Sequence, residues 1–468
     1  MRRILTLALT VLTCGLAAAQ SARSVLEQAQ KTMGNPKTIQ YTGSGATFTL
    51  GQNPSPDKPW PRVELRSLTR VFDYQTQSSR TEATGPAGPL ATQFLSGDKA
   101  WGQTPAGAVN PAPPVAVADR QMQLWLSPHG FLQGALAASV KAKSRKVGDR
   151  KVTEISFTQG KNRLVGTISA DGTVEKVETW VDNAVLGDMH VEAGYSSYRD
   201  FGGVKHPNRI VLSQGGFPTF ELNITAVQAG VAAGITVPDA VRNAAPPAAT
   251  VNVTSEKLGN GVWLVGGGTH HSIAVEFKDH AAVIEGPQND ARSAAVIAEV
   301  KKLIPNKPIR LLVSTHHHFD HSGGVRAYIA EGATVAAHPV NVEFYKRIAK
   351  APHNMNPDRL AREKKRAKVT AVSAKHVLTD GTRMVELHHI QGSPHHDGIL
   401  MAYFPAEKIL AEVDVYTPAA ANATLPPPSP AALNLNDNIE RLKLAVDRIV
   451  PLHGRIVTLA EFKKAIGK

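Results

Sequence analysis

Ser314-Thr315-His316-His317-His318-Phe319-Asp320-His321-Ser322-Gly323-Gly324 sets four groups able to hold a metal ion within six positions, directly behind the apolar run Ile309 to Ser314. Side chains alternate along an extended chain, so His316 and His318 point the same way, His317 points away, and Asp320 and His321 can turn toward a second ion. Imidazole and carboxylate suit zinc, and a loop at the end of a buried strand fixes such donors at little ordering cost. Gly323-Gly324 then lets the chain turn closely into a helix over Gly324 to Glu331. A histidine-rich surface loop is the plainer reading. Three imidazoles and an aspartate behind a buried strand fit metal chemistry better.

The segment resembles the metallo-β-lactamase superfamily, whose motif reads His-x-His-x-Asp-His. Only His316 in the first position gives the right residues after it. The resemblance runs from about Gly261 to about Val457 and carries further positions in the family's order. Ser393-Pro394-His395-His396-Asp397-Gly398, followed by Ile399 to Pro405, resembles the segment after the third histidine ligand and registers His395 there, with His396 as its competitor. Lys408 to Asp414 resembles the strand that ends in the bridging aspartate, and Arg448 to Gly454 the strand and His-Gly that supply His453. The resemblance implies one zinc on His316, His318 and His395, another on Asp320, His321 and His453, and Asp414 touching both. Two ions about 3.5–4 Å apart would lower the pKa of a shared water toward about 7, and the resulting hydroxide would attack an ester-like or amide bond such as a lactone or β-lactam. Asp320 could also orient that nucleophile and pass its proton.

The chain departs from the family at Glu285, where an aspartate is common. The glutamate either orients a metal-bound imidazole or is a solvent-facing turn residue. His270 and His271, after Gly266-Gly267-Gly268, stand on a loop near the expected site mouth, and Tyr416 could donate to an oxyanion or simply pack. His376, His388 and His389 read as structural. The loops Gly266 to Ser272 and Pro339 to Val369 are expected to shape the pocket, and neither carries a motif that names a substrate.

Around this core, 468 residues exceed what one hydrophobic core supports, so two domains are expected. Arg2-Arg3, the apolar Ile4 to Leu16 and Ala17-Ala18-Ala19 read as a signal peptide over 1–19, implying a periplasmic or secreted protein. Cys14, the single cysteine, falls inside it, so the mature chain would carry no thiol, and its metal sites must use histidine and carboxylate. Residues 20–235 read as an antiparallel β-rich domain. A helix over Ser24 to Met33 precedes strands over Ile39 to Phe48, Val63 to Tyr74, Lys151 to Thr158, Arg163 to Ser169 and Val174 to Val181, with a turn at Ala170-Asp171-Gly172. This half is similar, in size, export signal and strand-rich order, to periplasmic lipoprotein-carrier proteins, though no motif carries the likeness. It could hold an apolar ligand, dock envelope partners or build a homo-oligomer.

Residues 236–250, rich in proline and alanine, read as a linker, and 251–468 as the metal domain. The expected fold is α+β: an αββα sandwich of two mixed sheets flanked by helices, behind the β-rich domain. The net charge of +13, from 52 basic and 39 acidic residues, is scattered. Its one dense run, Arg362 to Lys368, reads as the solvated face of a helix. No basic stripe with interleaved aromatics appears, so a small-molecule substrate is expected and nucleic acid is not. No other stretch is long and apolar enough to make a membrane span. Two other classes compete with a two-zinc hydrolase. One is an iron-dependent oxidoreductase of the persulfide dioxygenase type on the same fold, since flavo-diiron proteins use a glutamate where this chain has His318. The other is a hydrophobic-ligand-binding envelope protein with a structural metal site, which donors with open positions argue against.

Overall fold

Alternation with period two sorts the first strands of the C-terminal half onto two faces. Val262, Leu264, Ile273, Val275, Ala282, Ile284, Val313 and Ala336 join one core, while Val265, Ala274, Ala281, Val283, Leu312, Val335 and Ala337 join another. A sheet buried on both faces must be covered twice, and it is. One face meets a second sheet; the other meets the helices Asp290–Leu303, Val325–Glu331 and Pro339–Ile348.

The structure, a computed structural model, describes residues 22–245, 251–420 and 423–468. The signal peptide read over 1–19, with Cys14, and the last part of the linker lie outside the described residues. Within them, the first sheet of this half has seven strands, running from Thr254–Gly259 through Val262–Gly266, Ser272–Glu276, Ala281–Ile284, Ile309–Val313 and Thr334–Ala337 to Lys368–Ala371. Its first three pairings are antiparallel and the last three parallel. The second sheet has six strands: Lys375–Thr379, Met384–His389, Leu400–Phe404, Ile409–Glu412, Arg448–Pro451 and Val457–Thr458. Only the pairing of Ile409–Glu412 with Arg448–Pro451 is parallel. Helices Pro430–Arg441 and Leu459–Ala465 close its outer side through Leu435, Ile439 and Phe462. The result is the expected αββα sandwich. Phe404, fully buried in the second sheet, contributes about 1.5–3 kcal/mol by leaving water, as do its aliphatic neighbours.

The N-terminal part is a second compact unit. A helix over 22–33 and the helices Pro114–Leu126 and Pro128–Ala137 accompany a fourteen-stranded antiparallel sheet of the described residues. The expected strands are there as Thr38–Phe48, Arg62–Asp73, Arg150–Gln159, Asn162–Ser169 and Val174–Asn183. Gly172, at φ +84°, makes the turn between the last two.

The two units are not contiguous in sequence. Leu50–Pro59 and Asp182–Asp188 leave the N-terminal run and belong to the compact unit formed by Ala248–Lys468. Three local readings change. The linker carries a short helix, Asp239–Arg242, with Val241 buried. The basic run is helical only to Glu363: Lys364 caps that helix at φ +54°, and Lys368 opens an edge strand, where charge protects the exposed ladder. Pro339 to Val369 is not a loop throughout, since Pro339–Ile348 is a helix that buries Phe344, Tyr345 and Ile348. Among the described residues no helix is long and apolar enough to cross a membrane.

Candidate metal centre

The strand Ile309–Val313 delivers the chain to the site, and its continuation stays extended to His318, which begins the short helix Phe319–Ser322. Ser322 Oγ donates to the carbonyls of His317 and His318 at 2.9 Å, locking this corner. Tyr345 Oη donates to the His316 carbonyl at 2.6 Å from behind. Gly323 and Gly324 are required by crowding: a Cβ would lie 2.0 Å from the Gln288 carbonyl at the first and 1.9 Å from Ser293 Oγ at the second. Asp414, just beyond the strand Ile409–Glu412, holds a left-handed φ of +60°, and Glu285, just beyond Ala281–Ile284, one of +70°. Each such backbone costs about 1–2 kcal/mol, which the surrounding contacts must offset.

Two groups of donors form, each with atoms mutually within 4.8 Å: His316, His318, His395 and Asp414, and His270, Asp320, His321 and His453. Asp414 joins them. Its Oδ2 lies 3.3 Å from His316 Nε2, 3.2 Å from His395 Nε2 and 3.0 Å from His321 Nε2, and its Oδ1 lies 3.1 Å from His453 Nε2. Asp320 Oδ2 is 3.4 Å from His321 Nε2, and His321 and His453 bring their Nε2 atoms to 3.0 Å. Bonds of about 2.0–2.1 Å at tetrahedral angles would set donor atoms about 3.3 Å apart, so these spacings fit the edges of metal polyhedra. All seven residues expected from the sequence are therefore brought together. His395, not His396, is the one in the group.

The remaining ring atoms are tied down, and this fixes which nitrogen is free. His318 Nε2 donates to the Asn53 carbonyl at 3.0 Å and leaves its buried Nδ1 without a partner. His453 Nδ1 donates to the Thr269 carbonyl at 2.9 Å, and His321 Nδ1 to Glu285 Oε2 at 3.0 Å. His316 Nδ1 meets Thr315 Oγ1 at 3.1 Å, while its Nε2 and that of His395 are buried without a hydrogen bond. His318, His321 and His453 are thus held in the tautomer that turns a lone pair inward, the pattern of metal-ligating histidine. Glu285 is fully buried and also accepts the Thr315 N–H at 2.6 Å, so of its two readings the orienting one holds.

A second layer lies beneath. The Gly398 N–H donates to His396 Nδ1 at 2.9 Å, so His396 carries its hydrogen on Nε2 and passes it to His317 Nδ1 at 2.6 Å. His317 Nε2 in turn donates to Asn53 Oδ1 at 2.8 Å. Asn53 Nδ2 donates to the carbonyls of Ser55 and Lys58, which sets the amide's orientation. Gln52 Nε2 donates to Asp320 Oδ1 at 2.8 Å, leaving Oδ2 for the donor group. Residues of Leu50–Pro59 therefore complete a site otherwise built from the last 200 residues or so of the chain.

The electrostatics are those of a cation site. Burial works to raise Asp414, but His316, His321, His395 and His453 outweigh it and hold the carboxyl well below the usual carboxylate range. Asp320 is likewise opposed by burial, yet held far down by His270 and His321. Burial and then the neighbouring His318 push His316 well below the ordinary histidine value, and burial and His395 push His318 down to about 4. Burial opposes charge on His321 too, but Asp320, Asp414 and Glu285 raise it well above normal. The ionised carboxylates of Asp320 and Asp414, set beside the neutral His316 and His318, call for positive charge at the centre, as a divalent ion provides.

Among other candidates, Tyr416 packs its ring against Phe462 at 4.8 Å. His388 bonds Glu386, His389 bonds the Asp397 carbonyl and His376 is exposed, as structural residues would. His271 stays out of both groups, whereas His270 enters the second. His316, His318 and His321 are buried, but Asp320 is 36 % exposed and His395 24 %, so the centre opens to solvent on that side.

Residues 258–411 match the family model of the metallo-beta-lactamase superfamily. No curated protein matches the chain. Among solved structures, a metallo-beta-lactamase from Pontibacter korlensis is 19% identical over 46% of this chain and 98% of its own, with a TM-score of 0.36. The FIM-1 metallo-beta-lactamase from Pseudomonas aeruginosa, in its mono-zinc form, is 20% identical over 46% and 94%, at 0.35. A metallo-beta-lactamase from Hirschia baltica is 19% identical over 46% and 95%, at 0.34.

Proposed function

We propose that this chain, whose C-terminal half belongs to the metallo-beta-lactamase superfamily, is a hydrolase that holds two zinc ions and opens an ester-like or amide bond, a lactone or β-lactam first among them. One observation carries the reading: two donor groups share Asp414, and every orphaned ring nitrogen of the first group points at it or beside it. A bound pair of ions supplies Lewis acidity and a water acidic enough to ionise near pH 7.

The protein's own part is positioning. His316, His318 and His395 would hold one ion, Asp320, His321 and His453 the other, with Asp414 between. Glu285, Asn53 and the Thr269 carbonyl keep three of those imidazoles in the required tautomer. Gln52 pins one oxygen of Asp320, so the other stays directed at the centre and can take a proton from the attacking water. His316 and His318 are buried, while the partly exposed Asp320 and His395 form the side from which a small molecule would approach. A histidine at 318 stands where a diiron site of the flavo-diiron type would use a carboxylate, which sets these donors apart from that class.

The test is turnover of a lactone and β-lactam panel by the full chain, before and after metal removal and with zinc or iron restored. Hydrolysis that returns with zinc supports the reading. No hydrolysis of any member by the zinc-loaded chain, or oxygen-consuming turnover only with iron, overturns it.

A further inference from the structure

We infer that His270 is itself a ligand of the second metal position, an eighth protein donor beside the seven of the motif; this rests on the two-ion reading above. Its Nε2 lies 3.2 Å from Asp320 Oδ2, and it shares the mutual 4.8 Å spacing of Asp320, His321 and His453. Its ring stands 3.9 Å from that of His453 and 5.2 Å from that of His321, edge to face and tilted, so three imidazoles surround one point. Nδ1 meets Thr269 Oγ1 at 2.9 Å, a hydroxyl able to accept its hydrogen, and in that tautomer the lone pair lies on Nε2. Gln288, at 3.4 Å, can accept the same hydrogen when its amide presents oxygen.

The loop that carries His270 is held as a ligand loop must be. Arg292, 2 % exposed, donates to the carbonyls of Asn252, Gly266 and His270 at 2.9, 2.7 and 3.2 Å. The next residue, His271, donates its N–H to the Leu452 carbonyl at 2.9 Å, tying the loop to the strand end that bears His453. The carbonyl of Thr269 orients His453 itself. One short segment thus supplies a donor and sets the tautomer of its neighbour.

The consequence is an asymmetric pair. The second position has five protein donors, His270, Asp320, His321, His453 and Asp414, already the upper end for zinc. The first has four. A substrate oxygen that binds metal directly therefore does so at the first position, beside the half-buried His395.

The experiment is stepwise cobalt(II) loading of the full chain, of His270→Ala and of His271→Ala, read by chelator competition and by visible absorption. Wild type takes two ions. In His270→Ala the first ion keeps its affinity, which shows the fold intact, the second binds at least about tenfold more weakly, and its absorption rises as coordination falls. His271→Ala matches wild type. Two ions in His270→Ala with unchanged affinity and spectrum, or an equal loss in His271→Ala, overturns the assignment of His270 alone. A wild-type chain that takes fewer than two ions overturns the two-ion reading as well.

Discussion

Glu285→Gln removes a charge and almost no volume. The native carboxylate accepts twice, from His321 Nδ1 at 3.0 Å and from the Thr315 N–H at 2.6 Å, in a fully buried position. An amide can accept on one side only. With its oxygen toward Thr315, it aims an N–H at His321, which must then move its own hydrogen to Nε2. That is the nitrogen 3.0 Å from Asp414, and its lone pair is lost to a metal. Turned over, the amide faces the Thr315 N–H donor to donor, at a cost of about 1–3 kcal/mol in a buried site. Either way a charge-assisted hydrogen bond to a ligand disappears, worth about 1.5–3 kcal/mol. The second ion should therefore bind about 10- to 100-fold more weakly while the first is little affected. Zinc titration against a chelator of known affinity reads both ions in one experiment. Wild-type affinity for the second ion in Glu285→Gln would refute the reasoning, because orientation by Glu285 would then contribute nothing.

Asn53→Leu strips His317 of its partner and releases the turn that Asn53 makes with Ser55 and Lys58, so the carbonyl on His318 shifts; the first ion should weaken about tenfold in the same titration. Gln52→Leu, which frees only Asp320 Oδ1, should weaken the second ion instead. In the N-terminal unit, burial holds His129 down to about 4 and His206, with His129 beside it, to about 3. The unfolded chain takes up protons near 6.5 that the folded unit refuses, so stability is full above about pH 6.5 and falls as the pH drops toward about 4, by roughly 3 kcal/mol for His129. Urea midpoints across that range should show the fall in wild type and a shallower one in His129→Gln. Phe404→Ala should cost about 3–5 kcal/mol in thermal unfolding, since the ring is fully enclosed by both sheets.

The donor run was legible because alternation along an extended chain is a local rule: His316 and His318 face the site and His317 faces away, as spacing alone requires. The choice between His395 and His396 was not local. It turns on the Gly398 N–H and on His317, which engage His396 in the layer beneath. Glu285 had two readings until its partners, Thr315 and His321, were seen across the site. Gln52 and Asn53 carried no signal at all, since Asn53 meets His317 from 264 positions away and nothing in the intervening chain announces the return. His270 was visible only as a loop histidine, because its role depends on Arg292 and Leu452 fixing the loop. In the N-terminal unit the strands follow from β-branched alternation, whereas the helices Pro114–Leu126 and Pro128–Ala137 do not stand out from it. Their signal was there in a proline at the first helical turn of each and in Ser127, which caps the second by accepting the Gly130 N–H. The basic run from Arg362 to Lys368 misled for the opposite reason. Charge marks exposure, and exposed edge strands and helix faces share it.

The most direct test of a shared two-metal centre is the metal content of the purified full chain, by mass spectrometry, beside Asp414→Ala. Two zinc per chain in wild type, with a marked loss in Asp414→Ala where both groups lose their common carboxylate, is the expected result. One ion or none in wild type, or two ions undiminished in Asp414→Ala, would contradict it.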